Sequence, residues 1–291
     1  MRVASVTGQS PVIRPLSGSI GAEVAGVDLS KELDEASFAF IHRAFLDHLV
    51  IVFPDQVLTP DDQLRFARRF GPIMIDPFIK SPPGYPEILE VIKEKHERVA
   101  FGESWHSDST YLERPPLGSL LYSKEVPPYG GDTMFANQYL AYETLSPGLR
   151  QTIDGLTAVH TPWSFDAAKS SGVYNEQRTM KLRNDDVMAK AMEIVSEHPV
   201  VRTHPETGRK ALYVNSTYTQ HFKDWTREES RPLLEHLFRH SARPEFTCRY
   251  RWAPGALALW DNRCAMHHPV NDYHGSRRVM HRVTVIGDRP I

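Results

Sequence analysis

Cysteine is nearly absent: Cys248 and Cys264 are the only two among 291 residues. That is too few for a disulfide framework and predicts a reducing compartment, with a catalytic thiol left open. Long apolar runs are missing as well. The opening stretch MRVASVTGQSPVIRPL has no continuous apolar core of signal-peptide length, and no later segment approaches the ~20 apolar residues a membrane span needs. Together these absences predict a cytoplasmic protein that does not enter a membrane. The chain also lacks an excess of either charge, its formal net charge being -2. Without a positive field it has no means of concentrating nucleic acid, so an anionic partner must be met locally by a few side chains. No internal repeat, low-complexity tract or interdomain linker interrupts residues 1–291, which predicts one domain and leaves a homo-oligomer open.

What is present is ordinary globular material, 41% hydrophobic and 24% charged, ample for a core. Ile41, Ala44, Phe45 and Leu49 recur at helical spacing over 35–49. A second helix is announced by Thr59 as N-cap, Pro60 in the first turn and acidic Asp61 and Asp62, and Gly71-Pro72 stops it. A third begins at Thr226, where Glu229 completes the spacing of a capping box. Short β-like runs occupy 117–124, 132–136, 199–203, 210–215, 246–252, 256–261 and 279–286. Many short strands with few helices predict a mainly β barrel or sandwich with helices packed outside. The polar interval 161–198 fits no strand register and is expected to be a lid insertion.

Candidate chemistry begins with His106-Ser107-Asp108, whose spacing on a strand would aim both side chains at one face and offer a metal two ligands. The spacing alone decides nothing. With 14 His and 36 acidic residues, chance supplies about 1.7 such pairs. The other pair, His204/Glu206, lies in the turn-like His204-Pro205-Glu206-Thr207-Gly208 and reads as a solvated hairpin. The C-terminal segment gives the first pair its context. Trp260-Asp261-Asn262-Arg263 leads to His267, and then to Arg278 and Arg282, which share one face of a strand while Val279, Val283 and Val285 take the other. Two guanidinium groups on a buried face cost several kcal/mol unless they meet anions.

On these residues the chain resembles the TauD/TfdA family, the taurine-dioxygenase-like branch of the iron(II)/2-oxoglutarate oxygenases. The resemblance runs from Gly21-Ala22-Glu23-Val24-Ala25-Gly26-Val27-Asp28-Leu29 through Arg68-Arg69-Phe70-Gly71-Pro72, Trp105-His106-Ser107-Asp108 and Gly130-Gly131-Asp132-Thr133. It ends in Trp252-Ala253-Pro254-Gly255, Trp260-Asp261-Asn262-Arg263 and Met280-His281-Arg282, and so covers essentially the whole chain. It implies a double-stranded β-helix, a jelly roll of the cupin-like barrel type. It implies Fe(II) held by His106, Asp108 and His267, rather than by the neighbouring His268, with positions left open for 2-oxoglutarate and O2. It assigns the distal carboxylate of 2-oxoglutarate to Arg278 and the Thr133 hydroxyl, with Trp252 lining the pocket and Arg282 facing substrate or cosubstrate. Arg277 should point away.

The activity so implied is hydroxylation of a substrate C–H bond, coupled to conversion of 2-oxoglutarate into succinate and CO2. For the substrate, the family's taurine enzymes carry a sulfonate-binding His where this chain has Asp76, and aspartate would repel a sulfonate. Lys80-Ser81, Gly84-Tyr85-Pro86-Glu87 and Tyr213-Val214-Asn215 are similar to stretches of the aryloxyalkanoate dioxygenases. The expectation is therefore a small organic anion hydroxylated beside a heteroatom, with aryloxyalkanoates ahead of taurine, alkylsulfonates or alkyl sulfates. Asp76, Phe78, Lys80, Ser109, Tyr111 and Arg282 are the substrate candidates, Lys80 and Arg282 for a carboxylate, with Phe78, Tyr111, Phe165 and Tyr174 over an apolar body. Two rivals are a non-catalytic cupin-like binding protein and a zinc hydrolase on the same ligands, which would have no use for the Thr133/Arg278 clamp.

Overall fold

A computed structural model describes residues 11–76, 78–162 and 193–291. The expected lid at 161–198 falls mostly outside these residues, as do Phe165 and Tyr174. The architecture is mainly β with a few helices. In chain order the elements begin with strands β1 (Val12–Pro15) and β2 (Ala22–Ala25), helix α1 (Glu35–His48), β3 (Val50–Phe53) and helix α2 (Pro60–Arg68). Strands β4 (Ile73–Met74), β5 (Ile88–Lys93), β6 (Pro116–Glu125) and β7 (Thr133–Asn137) follow, then helices α3 (Gln138–Glu143) and α4 (Pro147–Ile153). The remainder comprises β8 (Thr157–His160), β9 (Ser196–Pro199), β10 (Val201–Thr203), β11 (Lys210–Leu212), β12 (Thr219–Phe222), helix α5 (Arg227–Ser241), β13 (Thr247–Tyr250), β14 (Leu257–Asp261), β15 (Ala265–Pro269) and β16 (Arg278–Ile286).

The helix punctuation works as its chemistry requires. Thr59 and Asp62 form a full capping box at α2, and Thr226 and Glu229 do the same at α5. Strand assignment is less complete. The run at 199–203 divides between β9 and β10, which belong to different sheets. The all-apolar β3 and the ligand-bearing β15 carry no alternation by which to find them.

The largest sheet runs β1-β2-β3-β14-β6-β16-β4, with β5 also paired to β16. Its two faces bury different partners, because side chains alternate along each strand. Leu120, Ile51, Leu259, Val283 and Val285 face Ile41, Phe45, Leu64 and Phe66 of α1 and α2. Leu121, Val52, Trp260 and Met280 face Phe135, Cys248 and Tyr250 of the smaller sheet β13-β7-β15. The helices thus seal one face of the large sheet, and the other looks across to a second sheet. Between the two sheets lie the residues singled out above. Thr133 and His267 come from the small sheet, and Arg278 and Arg282 from β16 of the large one.

Candidate active site

His106, Asp108 and His267 converge, one ligand atom of each lying within 4.8 Å of the other two. All three are buried, at 3%, 3% and 5% exposure. The pair His106/Asp108 is not on a strand, as its spacing had suggested. His106 makes one isolated antiparallel bridge to His267, and Asp108 follows in a turn that leads to Ser109 at φ 47°. The bridge is a reciprocal pair, His106 N to His267 O at 3.0 Å and His267 N to His106 O at 2.8 Å. It fixes the two imidazoles with ring centroids 4.2 Å apart.

Two of the three donors, His106 and Asp108, are held by hydrogen bonds from behind. His106 Nδ1 is 2.7 Å from the Ser104 carbonyl, which only accepts, so Nδ1 carries the proton and the Nε2 lone pair faces the cluster. Gly102 (φ 76°) makes room for this ring: a Cβ there would sit 3.0 Å from His106 Cε1. Burial lowers the His106 pKa, and burial followed by the neighbouring His106 pushes His267 down to about 3. Both rings are therefore neutral at ordinary pH. Burial would raise the Asp108 carboxyl, but the Arg282 guanidinium, with the Ser119 hydroxyl also donating to it, holds it well below the usual carboxylate range. Asp108 Oδ2 accepts from Ser119 Oγ at 2.7 Å, while Oδ1 stands 3.8 Å from His106 Nε2 and 3.9 Å from His267 Nε2. Two neutral imidazoles and one ionised carboxylate, with His106 oriented by the Ser104 carbonyl and Asp108 by Ser119, suit a divalent metal that keeps open positions. His268 stacks on Trp105 at 5.5 Å, outside the cluster.

Next to this cluster a cavity of about 430 Å³, open solvent included, is lined by His106, His267, Thr133, Arg278 and Arg282 together with Phe101. Arg278 is 6% exposed, yet its Nε and Nη2 have no hydrogen-bond partner among the described residues. A buried guanidinium with two open donors is what a carboxylate would satisfy bidentately. Trp252 does not line this cavity, contrary to expectation. Its Nε1 donates to Thr133 Oγ1 at 2.9 Å, which leaves the threonine proton to be given elsewhere, and the Arg278 guanidinium lies 5.8 Å from its ring centroid. Trp252 thus contacts both Thr133 and Arg278. Arg277 turns outward to Glu94 and Glu125, as foreseen.

A neighbouring cavity of about 390 Å³, open solvent included, is lined by Asp76, Ser109, Asp108 and Arg282. Arg282 reaches Asp108 Oδ1 at 3.2 Å and lies 3.7 Å from Asp76 Oδ2. Asp76 also does what a turn aspartate does, its Oδ1 accepting from Phe78 N at 2.9 Å and Ile79 N at 2.8 Å. Phe78 and Tyr111 meet at 6.1 Å in an apolar cluster with Ile79 and Leu89. Sequence reading missed Tyr218, which packs edge-on against both Tyr111 and His106. Lys80 is exposed and lines neither cavity, so the pairing of Lys80 with Arg282 is not formed.

Two expectations for other residues change. His204 is not a solvated hairpin residue. It is 1% exposed, and its Nδ1 accepts from Glu206 N and Thr207 N, so Nε2 carries the proton and donates to Asp261 Oδ2 at 3.0 Å. Both ring nitrogens are used, which removes it as a metal ligand despite its nearness to Asp261 and Cys264. The thiols are buried, and burial raises Cys248 to about 12 and Cys264 well above its ordinary value, so neither is a nucleophile.

A β protein that holds two histidines and one carboxylate beside a buried, open-handed arginine has the donor set of the non-haem iron(II) oxygenases. Residues 12–284 match the family model for taurine catabolism dioxygenase TauD, TfdA family, and the chain belongs to that family of 2-oxoglutarate-dependent dioxygenases. It is 36% identical to an alkylsulfatase of Acinetobacter baylyi over 95% of this chain and 85% of that one. It is 35% identical to an alpha-ketoglutarate-dependent sulfate ester dioxygenase of Pseudomonas putida, over 96% of this chain and 90% of that one. A taurine dioxygenase from Burkholderia xenovorans superposes with a TM-score of 0.80 at 36% identity, covering 97% of this chain and 93% of that one. Among the described residues no helix is long and apolar enough to cross a membrane.

Proposed function

We propose that the protein hydroxylates a small organic anion at a carbon bonded to oxygen, so that the product falls apart into a carbonyl compound and the released oxygen fragment, a phenol from an aryloxyalkanoate or inorganic sulfate from an alkyl sulfate. The observation that carries this reading is the single cavity shared by His106, His267, Thr133, Arg278 and Arg282. His106, Asp108 and His267 would hold iron(II), and Thr133 and Arg278 would take the distal carboxylate of 2-oxoglutarate. When bound, the metal with 2-oxoglutarate and O2 supplies the oxidant for C–H hydroxylation. The chain's own residues bind and orient. Arg278 fixes the cosubstrate, Arg282 neutralises charge beside Asp108, and the Phe78, Tyr111 and Tyr218 cluster excludes water from the reacting carbon. The same reading takes the two facing sheets as a jelly-roll barrel and residues 1–291 as one oxygenase domain.

Alkyl sulfates and aryloxyalkanoates share the reacting feature, an anion whose C–H neighbours an ester or ether oxygen. Asp76 stands beside Arg282 where the taurine enzymes carry their sulfonate-binding His, so the contact that would select taurine is missing. The test compares succinate release with a medium-chain alkyl sulfate, both enantiomers of a 2-aryloxypropionate and taurine, under identical iron and 2-oxoglutarate. Turnover of the sulfate or of one aryloxypropionate enantiomer is expected. A clear preference for taurine, or no succinate with any of them, would overturn the proposal.

A further inference from the structure

Lys93 ends β5 directly opposite Arg278, the first residue of β16, in the antiparallel register of those two strands. Directly opposed residues of such a pair project to the same face. Both are buried, at 4% and 6% exposure. Lys93 Nζ has no hydrogen-bond partner among the described residues, and neither do Arg278 Nε and Nη2. The two cations line one cavity with Gly131, Tyr273 and Phe101, and Arg278 also lines the adjoining cavity of His106 and His267.

The surroundings steer these cations without neutralising them. Lys93 Nζ lies 4.4 Å from the centroid of the Tyr273 ring, and the Arg278 guanidinium faces Trp252. Burial lowers the pKa of both, ahead of the opposing influence of Glu97 and Glu103 on Lys93 and of Tyr273 and Asp132 on Arg278. Two like charges set opposite each other in a buried pair are unfavourable by themselves. An anion received between them would reverse the sign of that interaction.

We propose that Lys93 and Arg278 together form the receptor for the distal carboxylate of 2-oxoglutarate, with Lys93 a second cosubstrate-binding residue that selects a dicarboxylate. The inference rests on the cosubstrate role given to Arg278 above. It makes the buried lysine a recognition device that destabilises the ligand-free protein, since removing an unpaired buried charge while keeping its volume relieves strain.

The test uses Mn(II)-loaded protein without oxygen and reads binding by calorimetry, with 2-oxoglutarate and with 2-oxovalerate, which lacks the distal carboxylate. Lys93→Met is expected to weaken 2-oxoglutarate about tenfold or more, to leave 2-oxovalerate unchanged, and to raise the Tm of the ligand-free protein by roughly 1–3 °C. Lys93→Gln serves as a second variant of different polarity and should weaken 2-oxoglutarate similarly. If both variants bind 2-oxoglutarate like the wild type while Arg278→Gln does not, the role of Lys93 is refuted and that of Arg278 stands. Equal weakening of both oxo acids with a lowered Tm would make Lys93 merely structural. Failure of the wild type to bind 2-oxoglutarate would overturn the receptor together with the functional reading.

Discussion

Asn262 holds Asp108 at two points: its Oδ1 accepts from the Asp108 backbone N at 3.1 Å, and its Nδ2 donates to Asp108 Oδ2 at 3.3 Å. The same amide oxygen accepts from Trp260 Nε1 at 3.0 Å, and Nδ2 also reaches Ser119 Oγ at 3.1 Å. A side chain that is 0% exposed and fully engaged thereby fixes the turn that carries a candidate metal ligand. Asn262 sits in the turn between β14 and β15, so one short loop positions both Asp108 and, five residues on, His267.

From this grip follows the first prediction. Asn262→Ala leaves the three ligands in place but leaves the carboxylate to Ser119 and Arg282 alone, and removal of such a supporting contact costs about 10–100-fold in metal affinity or activity. Metal titration of the variant beside Ser119→Ala checks it. An Asn262→Ala protein that binds metal like the wild type would show the contact to be incidental.

Arg278→Ala should raise the apparent requirement for 2-oxoglutarate by about 2–5 kcal/mol of binding, the cost of truncating one partner of a buried charge pair. Its effect on substrate affinity should be much smaller, because Arg282 remains on the substrate side. Steady-state titration of each ligand in turn separates the two.

His204 makes the opposite kind of prediction. Its donor bond to Asp261, an aspartate that Arg263 also grips at 2.8 and 2.7 Å, is part of a buried network separate from the bonds that Asn262 makes to Asp108. His204→Ala should lower unfolding free energy by about 1–3 kcal/mol, the cost of stranding buried polar groups. Metal affinity per folded molecule should not change. Denaturant unfolding combined with metal binding tests both halves, and a loss of metal binding without a loss of stability would contradict them.

Stability should also depend on pH through His160 and His198, whose rings lie 5.4 Å apart. Burial lowers the pKa of His160 well below 6.5, with His198 adding to it, and burial likewise lowers His198. Lowered folded-state values mean that the unfolded chain takes up protons first. Stability is therefore full above the unfolded pKa near 6.5 and declines as pH falls below it, by at most about 1.4 kcal/mol per pH unit for each ring. Unfolding of metal-free protein between pH 7 and 5 measures the slope, which His160→Gln should flatten.

The sequence by itself determined a good deal here. Capping boxes at Thr59 and Thr226 are local chemistry, satisfied within three residues, so they could be read without the fold. The placement of Arg278 and Arg282 on one face of β16 follows from the two-residue period of a strand, and it survives because the strand is long. The family pattern carried the three ligand candidates. What only the tertiary structure decided are relations between segments far apart in the chain. Whether His204 is solvated depends on Asp261, brought to it from 57 residues away, and no turn statistic contains that contact. Trp252 could be placed at the pocket from the family pattern, but only the pairing of β13 with β7 shows that it bonds to Thr133. Lys93 carried no signal at all, since one lysine at the end of an apolar run looks like a solvated strand end. Its meaning arises when β5 pairs with β16 and sets it opposite Arg278. Short-range hydrogen bonds and periodicity are written along the chain, whereas burial of a charge is a property of everything packed around it.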